Sequence, residues 1–171
     1  MKESINIDMD IFIDGMGIVF YSEGAVKDIK EGENYFESEY EDPDSVAKHI
    51  RKGDVVGFCT GSPGNYLLKF RDGIPNEKVR ENYPICIYLA IKIDGGKLFV
   101  KDLFWLMDWK AECPMNQQLN IDDGVYEMRV YTAVPPSGYY GDNQIIYIYL
   151  NKVNEMPQLA WCGVPPLYKE F

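Results

Sequence analysis

A chain of 171 residues, 46% hydrophobic, with thirteen tyrosines and eight phenylalanines, has the size and apolar content of one globular domain over residues 1–171. Its net charge of −10 argues against nucleic acid or an anionic membrane surface as a direct partner, and suits either a basic protein partner or simply solubility. No apolar run reaches the length of a membrane span, and no uninterrupted apolar stretch near the start reads as a secretory signal, so a cytoplasmic protein is expected.

Ile5, Ile7, Met9, Ile11 and Ile13 alternate with Ser4, Asn6, Asp8, Asp10 and Phe12, the period of a strand with one apolar face. Asp14-Gly15 offers a turn, and "GIVFY" to Tyr21 reads as the returning strand of a hairpin. Next comes an acidic segment holding Glu31, Glu33, Glu37, Glu39, Glu41, Asp42 and Asp44 without a basic residue, with Tyr35, Phe36 and Tyr40 interleaved. It runs into "DPDSVAKHIRKG", the one substantial helix, near 44–52. Asp42 caps it, Pro43 suits its first turn, Val46, Ala47 and Ile50 form its apolar stripe, and Gly53 ends it.

The rest reads as strand and turn. Runs are expected at Val55–Thr60, Tyr66–Arg71, Ile85–Ile93, Lys97–Leu106, Gln118–Ile121, Val125–Ala133 and Ile145–Val153, with a tight turn at Asp94-Gly95-Gly96. Many short strands at regular spacing with little helix predict an all-β fold: a two-sheet antiparallel β-sandwich. "GNYLLKF" from Gly64 and "GVYEMRV" from Gly124 repeat one pattern, which reads either as internal pseudo-symmetry with one copy in each sheet or as chance similarity between strands that draw on few residue types.

Cys59, Cys86, Cys113 and Cys162 stand far apart, and the single histidine is His49, so no metal-ligand spacing is present and reduced thiols are expected. Cys59 and Cys86 lie in apolar runs and read as small core residues. Asp8 and Asp10 would project from a polar strand face roughly 7 Å apart, which suits solvated charges better than a metal site. His49 reads as a partly exposed helix residue, since no serine or cysteine stands where a nucleophile would. Asp122-Asp123-Gly124 is a turn, and no phosphate loop or dinucleotide fingerprint occurs. Neither a catalytic residue nor a metal or cofactor is expected.

Two stretches suit binding. Aromatic anchors among acids, at Glu37, Glu39, Tyr40, Glu41 and Asp42, fit the docking of a basic protein surface. The loop "VPPSGYYGDN" offers Tyr139, Tyr140 and Asp142 on a rigid scaffold, and the related "VPPLY" at Val164–Tyr168 makes proline–tyrosine packing at one end of the sandwich an equal alternative. The stretch from Tyr83 to Pro135 carries a strand after Tyr83-Pro84, the Asp94-Gly95 turn, Leu119-Asn120-Ile121, and then Gly124 and Tyr126. In these features it resembles competence protein J, the small nuclease inhibitors of competent bacilli. The resemblance implies an all-β domain that binds and neutralises a nuclease; the acidic charge by itself would equally suit another basic partner such as a toxin. The N-terminal strands, the acidic segment and the helix lie outside it. A carbohydrate-binding module using Trp105, Trp109 and Trp161, and an enzyme whose carboxylates meet only on folding, stand beside this reading as alternatives.

Overall fold

The computed structural model describes residues 4–168. Nine strands form two sheets that pack face to face, as expected of a β-sandwich. β1 (Asn6–Ile13), β4 (Gly64–Asp72), β9 (Gln144–Val153), β8 (Gly124–Thr132) and β5 (Ile85–Ile93) make a five-stranded sheet in that order. β3 (Val55–Cys59), β2 (Gly17–Ser22), β6 (Lys97–Asp102) and β7 (Gln118–Asn120) make a four-stranded one. Between them Phe20 meets Phe70 edge to face at 6.4 Å, in a core that includes Ile13, Ile18, Leu68, Leu89 and Val130. The main helix, α2 (Pro43–Lys52), follows a short α1 (Glu23–Val26) and precedes α3 (Glu77–Asn82). The Asp42 carboxylate accepts from the Ser45 amide, and Gly53 ends α2 in the left-handed conformation at φ 68°.

Three expectations about connectivity are corrected. β1 and β2 do not form a hairpin: β1 pairs with β4 and β2 with β3 and β6, so the chain changes sheets at Asp14-Gly15. The buried Asp102 carboxylate holds this crossing, accepting from the amides of Asp14 at 2.8 Å, Gly15 at 3.1 Å and Phe104 at 3.0 Å. Asp94-Gly95-Gly96 is a second such crossing, and Asp123 accepts from the amides of both glycines. The strand expected over Lys97–Leu106 stops at Asp102, where that same carboxylate caps a 3-10 turn over Leu103–Met107.

One strand pair, β4 with β9, is parallel, whereas every other pair is antiparallel. The loop before β9 sets this direction: the Gly141 carbonyl accepts from Asn65 at 2.8 Å, so β9 starts at the same end as β4. Gly64 is required there twice over. Its φ is 144°, and a Cβ would sit 2.3 Å from the Gly141 oxygen.

The repeated glycine–tyrosine strands are β4 and β8, and both lie in the five-stranded sheet, on either side of β9. An exchange of sheets is therefore wrong. What recurs is local chemistry: Gly124 opens its strand at φ 149°, much as Gly64 does. The Tyr66 hydroxyl donates to the Ser62 carbonyl and the Tyr126 hydroxyl to that of Asp122, each four residues back. The motif closes the loop that leads into a strand.

Candidate functional site

The acidic segment folds before it reaches the helix. Asn34 ties back to Glu37, Phe36–Tyr40 form one wide π-helical turn, and Asp42 then starts α2. That turn rotates the aromatic residues inward. Tyr35 and Tyr40 are buried, with Phe36 half-buried, while Glu31, Glu33, Glu37, Glu41, Asp42 and Asp44 face solvent. Tyr40 is therefore not the solvent-facing anchor expected of it. Its ring is 1% exposed, and its hydroxyl donates to the Val55 carbonyl at 3.0 Å while accepting from the Gly57 amide at 2.8 Å. The interleaving of acids and aromatics is an amphipathic pattern, with charge outward, Tyr40 against β3 and Tyr35 against His49.

Sequence reasoning missed how this segment is locked. His49 is half-buried between two carboxylates, with Nδ1 2.9 Å from Asp54 and Nε2 3.2 Å from Glu39. The Tyr35 hydroxyl lies 3.2 Å from Nε2. Burial disfavours the charged ring, but bonding to Asp54 and then Glu39 outweighs it, so the imidazole titrates above its ordinary value. Two acceptors facing the two ring nitrogens call for a proton on each. Asp54, five residues after His49, just beyond Gly53, was the available signal: a carboxylate placed to meet the ring after the helix ends.

The consequence for pH has a definite sign. A raised native value means that the stabilisation is complete below about pH 6.5 and is lost as pH climbs through the native value. Because this is the only histidine in the chain, urea unfolding midpoints should fall across that interval and the His49→Gln midpoints should stay flat. Equal slopes in the two proteins would remove the latch.

The second stretch is placed differently. Tyr139 is 76% exposed, and Asp142 is exposed as well. Tyr140 is half-buried and donates its hydroxyl to the Tyr168 carbonyl at 3.1 Å. Among the described residues no hydrogen bond or ion pair links this loop to the acidic segment. A cleft of about 1190 Å³ adjoins neither stretch. It opens where β4 and β9 end and β8 begins, and Asp72, Asp122, Asp123 and Tyr126 line it beside Lys152. Asp72 and Asp123 already accept backbone amides, from Ile5 and from Gly95-Gly96. The cleft adds negative charge to the surface and holds no histidine or cysteine.

Other expectations are resolved residue by residue. The four thiols are free, but Cys86 is exposed and Cys59 only partly covered, so neither is a core residue; Cys113 is the buried one. The tryptophans form no exposed row, because Trp109 is 1% exposed and packs on Tyr21, Trp161 is half-buried, and only Trp105 is exposed. Asp8 pairs with Arg71 across the strands at 2.9 Å.

No family model matches the chain, and no curated protein sequence does. Two solved structures share its fold. One is ComJ, inhibitor of the DNA degrading activity of NucA, from Bacillus subtilis. It superposes with a TM-score of 0.55 at 9% identity, over 89% of this chain and 100% of that one. The other is crocagin biosynthetic gene J, with a TM-score of 0.50 at 17% identity, over 87% of this chain and 98% of that one. At that coverage the likeness extends well beyond the stretch from Tyr83 to Pro135.

Proposed function

We propose, from a fold shared with a nuclease inhibitor, that this chain is a non-catalytic binding protein that neutralises a basic protein partner such as a nuclease or toxin. The observation that carries the reading is the held acidic segment. Its charges point outward from a scaffold fixed by Tyr40, by the His49 pairs and by the Asp42 cap. A preorganised anionic surface loses little conformational entropy on binding and attracts a basic face over a Debye length. The nucleic-acid-binding face of a nuclease is such a surface. Tyr139 supplies the exposed aromatic anchor in place of Tyr40, and Glu37, Glu41 and Asp42 supply the attraction with Tyr140 and Asp142 flanking the loop.

A catalytic role for His49 finds no support in its setting. Its carboxylates and Tyr35 occupy its ring nitrogens. The tryptophans, with Trp109 buried and Trp161 half-buried, offer no stacking row for a sugar.

The test begins with capture of a partner by the immobilised chain and ends with association kinetics. The Glu37→Lys, Glu41→Lys double variant should associate severalfold more slowly and show a flatter salt dependence, with unchanged unfolding. Glu39 and Asp42 are left intact because they hold His49 and cap α2. Tyr139→Ala should instead speed dissociation, by the equivalent of about 2 kcal/mol at a hot spot. An association rate indifferent to both salt and charge reversal would reduce the acidic segment to a solvated loop.

A further inference from the structure

The outer face of the five-stranded sheet carries a pattern unlike the rest of this acidic surface. Strand register aligns Arg71, Tyr149, Arg129 and Tyr88 in one row across β4, β9, β8 and β5. The neighbouring row reads Lys69, Tyr147, Tyr131 and Cys86. Cations and phenol rings thus meet on one side, while Leu68, Phe70, Met128 and Ile148 fill the core on the other. At the β5 edge the rows end in a cavity of about 550 Å³ lined by Tyr88, Arg129, Tyr131, Trp161, Cys86 and Ile87. The Trp161 indole donates to the Tyr88 carbonyl at 2.9 Å, which holds the ring over this edge.

Arg129 gives the cavity its chemistry. Its guanidinium carbon stands 5.3 Å from the centre of the Tyr88 ring, and one terminal nitrogen is 3.3 Å from Glu127. Its Nε is buried without an acceptor. A guanidinium offers five N–H donors, and Glu127 is the one side-chain acceptor it meets among the described residues. Arg129 lines the cavity beside the Tyr88 ring, and a guanidinium among flat rings is a setting in which a carboxylate is held by charge-assisted hydrogen bonds from the terminal nitrogens.

We propose that this edge is a binding pocket for a small planar carboxylate, an aromatic acid whose ring lies among Tyr88, Tyr131 and Trp161 and whose carboxylate meets Arg129. The volume is that of a small-molecule site. The net charge of −10 selects size as well as sign. A polyanion would feel the repulsion of the whole molecule, whereas a monoanion senses only the charges within a Debye length, here Arg129 and its Glu127 partner. The site is separate from the acidic segment, so its failure leaves the partner-binding proposal untouched, and the converse holds.

A matched pair of probes on the unmodified full chain tests it. Indole-3-carboxylate and indole-3-carboxamide share shape and differ in charge. Titration calorimetry with amide and indole NMR shifts should show the carboxylate bound at least about tenfold more tightly. The shifts should be confined to Tyr88, Arg129, Tyr131 and Trp161. Arg129→Gln should bring the carboxylate down to the affinity of the carboxamide. Equal affinity for the two probes, no binding of the carboxylate at millimolar concentration, or shifts centred elsewhere would each overturn the proposal. So would preferential binding of an oligothymidine, lost on adding salt, because the face would then be a nucleic-acid platform.

Discussion

Tyr40→Ala is expected to cost about 4 kcal/mol of unfolding free energy, in the range for truncating a buried aromatic ring. The ring is 1% exposed beneath the acidic segment and stands 6.2 Å from the imidazole of His49. Its hydroxyl bridges Val55 and Gly57 on β3, so truncation opens a cavity and strands a carbonyl and an amide together. Tyr40→Phe separates the two effects. It keeps the volume and leaves the Gly57 amide without its acceptor, at about 1–3 kcal/mol. Chemical denaturation of both variants, read by fluorescence, measures this. A loss below about 1 kcal/mol for Tyr40→Ala would mean that the acidic segment is peripheral to the fold. Partner dissociation is the wrong readout for this residue, because any change there would follow from the fold.

A second large effect is expected in alkali. Burial pushes the phenols of Tyr21, Tyr35 and Tyr40 well above the ordinary tyrosine range, so they keep their protons while the protein is folded. In the unfolded chain they ionise near pH 10. Above that value the unfolded state therefore holds fewer protons, and stability falls as pH rises. Each such phenol contributes about 1.4 kcal/mol per pH unit, so the three together remove about 4 kcal/mol by about pH 11.

Lys101 works in the opposite direction. Its ammonium is buried against Trp109 at 4.7 Å and donates to the Lys110 carbonyl, and burial lowers its titration point. One lysine against three phenols leaves the balance negative. Unfolding midpoints followed upward from neutral pH, with tyrosinate absorbance recorded on the native protein, check the account. Phenols that ionise in the folded protein at their ordinary value, with flat midpoints, would contradict it.

Several features are legible in the chain through local chemistry. The period of two in β1, the Asp42-Pro43 start and Gly53 stop of α2, and the glycine–tyrosine openings of β4 and β8 follow from short-range rules of packing and backbone geometry. The acidity of the surface follows from composition. The inward turn of Tyr40 is not legible, since alternating acids and rings can present either face until an apolar surface meets them, and β3 is that surface. The His49 latch needs Glu39 and Asp54 brought to one ring, and the Arg129 pocket needs Tyr88, Tyr131 and Trp161 from separate segments.

Sheet membership shows the division most plainly. Asp14-Gly15 and Asp94-Gly95-Gly96 state where the chain can turn, because those residues tolerate the backbone angles. Asp102 and Asp123, each distant in sequence, make both turns cross between sheets by accepting their amides. Propensities that act over a few residues thus dictate which parts of the amino-acid sequence extend, coil and turn. Which strands become neighbours is a property of the folded chain, because pairing is selected by buried contacts and amide acceptors that meet only there.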